Sequence, residues 1–151
     1  VTSPVLAATS DLVAVAWLAG VDGLDESRVA TTLPGNVDVW GTRGFAQART
    51  VGGTPDLYLP AGRPVVQVDC WAVKPDTGRP LWNVAALVAQ AIVTACRDEP
   101  NVRRLLTLPD GYPQAQVMSA YPLTEPHRIE GDAGSYARFR MDLALHWVEV
   151  G

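Results

Sequence analysis

The stretch Tyr136–Trp147, YARFRMDLALHW, decides the fold. Ala137, Phe139, Met141, Leu143, Leu145 and Trp147 share one parity; Tyr136, Arg138, Arg140, Asp142, Ala144 and His146 share the other. Successive side chains of a strand point to opposite faces, so this period of two describes a strand with one packed face and one face that is wet or partnered. Pro64–Val73 repeats the pattern, Val66, Val68 and Cys70 alternating with Gln67 and Asp69. Phe45–Val51, ending at Gly52-Gly53, and Ala115–Tyr121 are two further strands, and Asn36–Trp40 a short one.

Two helices complete the chain. Val5–Leu18 places Leu6, Thr9, Val13, Ala16, Trp17 and Gly20 near one face, with Ser3 before Pro4 as its cap. Leu81–Arg97 carries the stripe Leu81, Val84, Ala85, Val88, Ile92 and Ala95, widened by Trp82, Ala86 and Leu87, so it is expected to be largely buried. Asp98-Glu99-Pro100 stops it. The apolar faces of both helices need the sheet's apolar face as cover. The fold class is therefore α+β: a two-layer sandwich, two helices on one face of a small mixed or antiparallel sheet with long loops, the last two strands forming an antiparallel pair. A length of 151 residues suits one domain over 1–151, able to bury roughly 70% of its unfolded surface.

If the strands share one sheet, its far face gathers Gln67, Asp69, Arg138, Arg140 and Asp142, joined by Gln47 and Arg49 from Phe45–Val51. Such a face is either solvated surface or a surface that meets another subunit or lines a wet channel; both readings stand at this point. Two loops flank it: the Gly/Pro-rich excursion Gly52–Pro64, with Pro55, Asp56 and Tyr58, and the polar Pro122–Ser135, with Glu125, His127, Arg128 and Glu130. Long polar loops on a rigid scaffold are natural docking elements.

The chemistry of the chain is sparse. Net charge is −4, which argues against a sequence-tolerant nucleic-acid binder needing a basic face. Lys74 is the single lysine beside eleven arginines, as in a protein from a GC-rich genome. No phosphate-binding glycine motif stands between a strand and a helix. Cys70, Cys96, His127 and His146 have no metal-ligand spacing, and both thiols are read as reduced. Cys70, His146 and Asp69 fail as a nucleophile set, because Asp69 and Cys70 are neighbours on a strand and point apart. The carboxylate pairs Asp25-Glu26 and Asp98-Glu99 lie at segment ends. The chain is read as non-enzymatic, without metal or cofactor. Val1–Gly20 lacks a basic run and Asp11 interrupts its apolar residues, so it is not read as a secretory leader; no stretch has the apolar length of a membrane span.

The run Phe45–Gly53 (FAQARTVGG), then Arg63–Ala72 (RPVVQVDCWA), an alanine-rich helix, and the closing Tyr136–Trp147 resemble the tail terminator proteins of long-tailed bacteriophages, especially those infecting actinobacteria. The likeness covers most of the chain from about Phe45 onward and lies in a pattern of strand, helix and strand, with no invariant motif to transfer residue roles. It implies a structural virion subunit, assembled in the host cytoplasm, that closes into a homo-hexameric ring at the head-proximal end of the tail tube. Its expected partners are itself, the tail tube protein and the head-closure (stopper) protein of the connector, with the genome passing through the lumen unread. Such a ring ends tube polymerisation and joins tail to head. On that reading the excursion reaches an adjacent subunit and the polar loop reaches a neighbouring ring or the tube. Two rival readings remain: a stopper or tail tube subunit of the same virion, and a small-molecule-binding or enzymatic α+β domain built around a concave pocket.

Overall fold

The computed structural model describes residues 6–56, 58–131 and 136–150. It is an α+β protein with four helices and a mixed seven-stranded sheet. The helices are α1 (Ser10–Ala19), α2 (Val37–Trp40), α3 (Trp82–Cys96) and α4 (Glu99–Val102). The strands are β1 (Val29–Ala30), β2 (Phe45–Pro55), β3 (Ala61–Ala72), β4 (Leu105–Leu106), β5 (Gln114–Pro122), β6 (His127–Arg128) and β7 (Ala137–Val150). The spatial order is β1-β2-β3-β7-β5-β4, with β6 also on β7. Among the described residues only the β1–β2 pair is parallel.

The alternating strand is the centre of the sheet. β7 is paired with β3 along one side, Asp69 opposite Arg140 and Val68 opposite Met141, and with β5 and β6 along the other. Its Ala137, Met141, Leu143, Leu145 and Trp147 are buried as the period of two requires. Met141, Leu143, Leu145 and Trp147 share one hydrophobic cluster with Val66 and Val68 of β3, Ala46 and Ala48 of β2, Val13 and Trp17 of α1, and Val88 and Ile92 of α3, while Ala137 packs with Ala72 of β3 and Ala85 of α3. Each fully buried large side chain contributes about 1.5–3 kcal/mol. The ring of Trp17 is also held by its polar edge, Nε1 donating to the Val102 carbonyl at 3.1 Å. Arg28, almost fully buried, donates to the carbonyls of Gly23, Arg43 and Gly44 and so sets the entry into β2.

Several sequence expectations need correction. The first helix begins at Ser10, capped by Thr9, whose Oγ1 accepts the Leu12 N–H at 3.3 Å; Leu6–Thr9 is not helical, and the expected cap at Ser3-Pro4 lies outside the described residues. Asn36–Trp40 is no strand: Asn36 Oδ1 accepts the Asp38 N–H and opens α2. The Gly52-Gly53 pair does not end β2. The strand bulges between Thr50 and Gly52 and continues to Pro55 in register with β3, so the expected excursion is a two-stranded arm whose tip includes Asp56, Tyr58, Leu59 and Pro60. Gly53 has φ +107, and a Cβ there would stand 2.3 Å from the Arg63 carbonyl oxygen, so the position demands glycine. α3 buries Ala85, Val88, Ala89, Ile92 and Ala95, but Leu87 is 65% exposed, and Asp98-Glu99-Pro100 opens α4. The polar loop after β5 contains β6, and its end, 132–135, lies outside the described residues.

Candidate functional site

The register assembles the polar face that alternation implied. Across β2, β3 and β7, Gln47 stands opposite Asp69 and Asp69 opposite Arg140; Arg49 stands opposite Gln67 and Gln67 opposite Asp142. Asp69 is its buried centre at 3% exposure. Arg140 Nε donates to Oδ1 at 2.9 Å and Arg138 Nη2 to Oδ2 at 3.0 Å, so both carboxylate oxygens are held by different guanidinium groups. Arg138 also lies over the Trp71 ring at 4.7 Å. Arg49 donates through Nε and Nη2 to Gln67 Oε1, and Gln47 accepts from Trp71 Nε1 at 3.0 Å while donating to the Thr31 carbonyl. The buried atoms Arg138 Nε and Asp142 Oδ1 have no partner among the described residues.

One end of this face is closed by aromatics that periodicity did not single out. Trp40 of α2 meets Phe45 and Tyr136 with ring centres 5.8 and 5.9 Å apart, and Tyr136 meets Trp71 edge-on. Phe45 has the same parity as Gln47 and Arg49, and this cluster is what its apolar ring packs into. The signal was available in the parity of Trp71 and Tyr136, but α2, which completes the cluster, was read as a strand.

The other expected contact residues fall in two separate places. Pro55, Asp56 and Tyr58 sit at the arm's tip, next to the far end of β7, where the Pro60 carbonyl accepts the Glu149 N–H at 2.7 Å. Asp56 Oδ1 accepts the N–H groups of both Tyr58 and Leu59 at 2.9 Å, and these bonds hold its carboxyl below the ordinary aspartate range. The tip is thus braced, yet Tyr58 is 88% exposed. Leu59, also exposed, was not foreseen. His146, on the polar parity of β7, lines a recess of about 280 Å³ with Asp56 and Arg63.

The segment Glu125–Glu130 lies instead beside the Phe139–Asp142 half of β7. His127 is opposite Arg140 and so extends the polar face, while its Nδ1 lies 3.2 Å from the Glu125 carbonyl oxygen. Arg128 is opposite Phe139; its guanidinium lies 3.6 Å from the Trp82 ring centre and its Nε 3.1 Å from Glu130. Between α3 and Pro122–Pro126 runs a groove of about 670 Å³ that sequence reasoning missed, because its two walls are 30 or so residues apart in the chain, on the order of a whole βαβ unit.

Cys70 is buried in the core, with desolvation and then the neighbouring Asp69 charge pushing its thiol far up; burial lifts Cys96 to about 11. Cys70 and Asp69 point to opposite faces as the strand requires. No group of three or more metal-ligating side chains is found among the described residues, and no helix among them is long and apolar enough to cross a membrane. No protein-family model matches the chain, and no curated protein matches it.

Proposed function

We propose that this chain is a structural subunit of a phage tail, a terminator that closes into a homo-hexameric ring at the head-proximal end of the tail tube, stops its growth and joins it to the head-closure protein. The observation that carries the reading is the pairing of an exposed arm, braced at its tip by Asp56, with a fixed polar face centred on Asp69. A rigid sheet that offers two unlike surfaces suits a heterologous contact, in which each subunit gives one patch and receives the other, and which closes by rotation. The polar face also carries Arg138 and Arg140 guanidinium groups that reach solvent while fixed to Asp69, so it offers a preset charged surface to another chain. We read α1 and α3 as one layer on the apolar face, leaving the polar face open for assembly. The sequence resemblance supplies the identity of the assembly.

Native mass measurement tests the reading, on the purified protein alone and with tubes built from the tail tube protein of the same genome. A hexamer, or binding at one end of the tubes only, supports it. Unlimited filaments would identify a tube subunit instead, and a monomer that ignores tubes overturns it.

A further inference from the structure

We propose that the arm's tip in one copy docks into the groove between α3 and Pro122–Pro126 of the next copy. This specifies the contact that the ring reading requires, and it rests on that reading for its closed geometry.

Four features lead to the second copy as occupant. First, the tip presents apolar surface that its own chain leaves uncovered, Tyr58 at 88% and Leu59 at 63% exposure. Their backbone is nonetheless fixed by Asp56 and by the Ala61 N–H donating to the Leu59 carbonyl at 2.8 Å. Second, the groove is preformed. Leu123 donates its N–H to the Asp142 carbonyl at 2.8 Å, Thr124 Oγ1 accepts the Asp142 N–H at 3.0 Å, and β6 pins the following residues to β7. Two rigid partners lose little freedom on docking. Third, the charges match. The groove has an apolar floor of Ala86, Val93 and Phe139, with Arg97 and Glu125 on its lining; the arm brings Asp56 and Arg63. Opposite charges can therefore meet twice, Asp56 with Arg97 and Arg63 with Glu125.

Fourth, the contact cannot form within one chain. Ala61, at the tip, pairs with Val148, whereas the groove is floored by Phe139 near the other end of β7. That separation is roughly 30 Å at about 3.4 Å per residue. A tip at one end and a groove at the other give a head-to-tail contact.

Disulfide trapping tests this with two chains, each carrying Cys96→Ala and one further change, Leu59→Cys in one and Gln90→Cys in the other. Both are mixed under mild oxidation, alone and with tail tubes, and urea melts confirm that each is folded. The expected product is a Leu59→Cys chain linked to a Gln90→Cys chain. Arg63→Glu or Glu125→Arg alone should lower its yield about tenfold, and the two together should restore it. Linkage of Leu59→Cys chains to each other, without the mixed product, would mean a symmetric contact and overturn the proposal. A native-mass hexamer without the mixed product overturns the proposal and leaves the ring reading standing. The mixed product in chains that neither form hexamers nor bind tubes supports the contact and removes the terminator reading. A monomer throughout overturns both.

Discussion

Asp69 Oδ1 and Arg140 Nε face each other across β3 and β7 at 2.9 Å, with the carboxylate almost wholly buried and the guanidinium partly exposed. Arg138 takes the other oxygen. Asp69→Asn would leave two guanidinium groups side by side without their anion. The expected cost is about 2–4 kcal/mol, below the full penalty of a buried broken pair because both arginines reach solvent. Urea denaturation checks it, and a midpoint within error of the parent would mean that the trio contributes nothing.

Gly53→Ala is expected to loosen the arm while sparing the core. The left-handed φ and the Arg63 carbonyl oxygen leave no room for a Cβ, a strain of about 1–3 kcal/mol. Hydrogen exchange should show amides of Thr54–Gly62 losing protection at least several-fold, with those of Val66, Val68 and Leu143 unchanged.

Thiol chemistry should be slow. With Cys96 lifted to about 11 from 9.0, its thiolate fraction at pH 8 falls about a hundredfold, and Cys70 is further raised and enclosed. Iodoacetamide labelling of the native protein is expected to lag behind the urea-unfolded protein by about that factor. Rapid native labelling of either thiol would contradict the burial described.

Asp25 gives an acid-side prediction. The Ser27 hydroxyl, foremost, with the Ser27 N–H and the charges of Arg43 and Arg28 added, outweighs the opposing desolvation and holds its carboxyl below 3.8. A depressed folded value means stability that is complete above the unfolded value and lost as pH falls through the folded one. The melting temperature of Asp25→Asn should therefore lie slightly under the parent's at neutral pH, and the two should converge below about pH 3.8. A gap that widens on acidification would reverse the sign.

What the sequence made legible was whatever has a period. Tyr136–Trp147 and Pro64–Val73 revealed their faces because each pairs on both sides and buries one face, so nothing blurs the alternation. The polar face followed, since strands that share an apolar side share the other. What has no period was lost. Gly52-Gly53 reads as a turn, yet β2 runs on through the pair, Val51 being the bulged residue and Gly53 allowing close approach to β3, and residues 49–55 are exposed on a sheet edge where no apolar pattern is imposed. Four residues of α2 are too few to show helical spacing, and the Asn36 cap was the only local cue. Leu87 widened the apolar arc on paper, but α3 buries a narrower stripe. The groove was invisible because α3 and Pro122–Pro126 meet only through tertiary packing.

The position of β7 in the sheet carries a consequence for the order of events in synthesis. β2 and β3 form their hairpin from neighbouring residues, and β4 and β5 pair with each other, but no strand of the first group bonds to the second except through β7. A nascent chain that has not yet delivered Ala137–Val150 holds two half-sheets with their apolar faces incomplete. Closure of the core is thus a late, long-range step, slow by contact order. Until it occurs, the arm has no anchor at Val148 and Glu149, and Leu123 and Thr124 have no Asp142 to bind. Only a chain that already includes β7 can present both surfaces, so chains cut short of it are kept out of any assembly built from them.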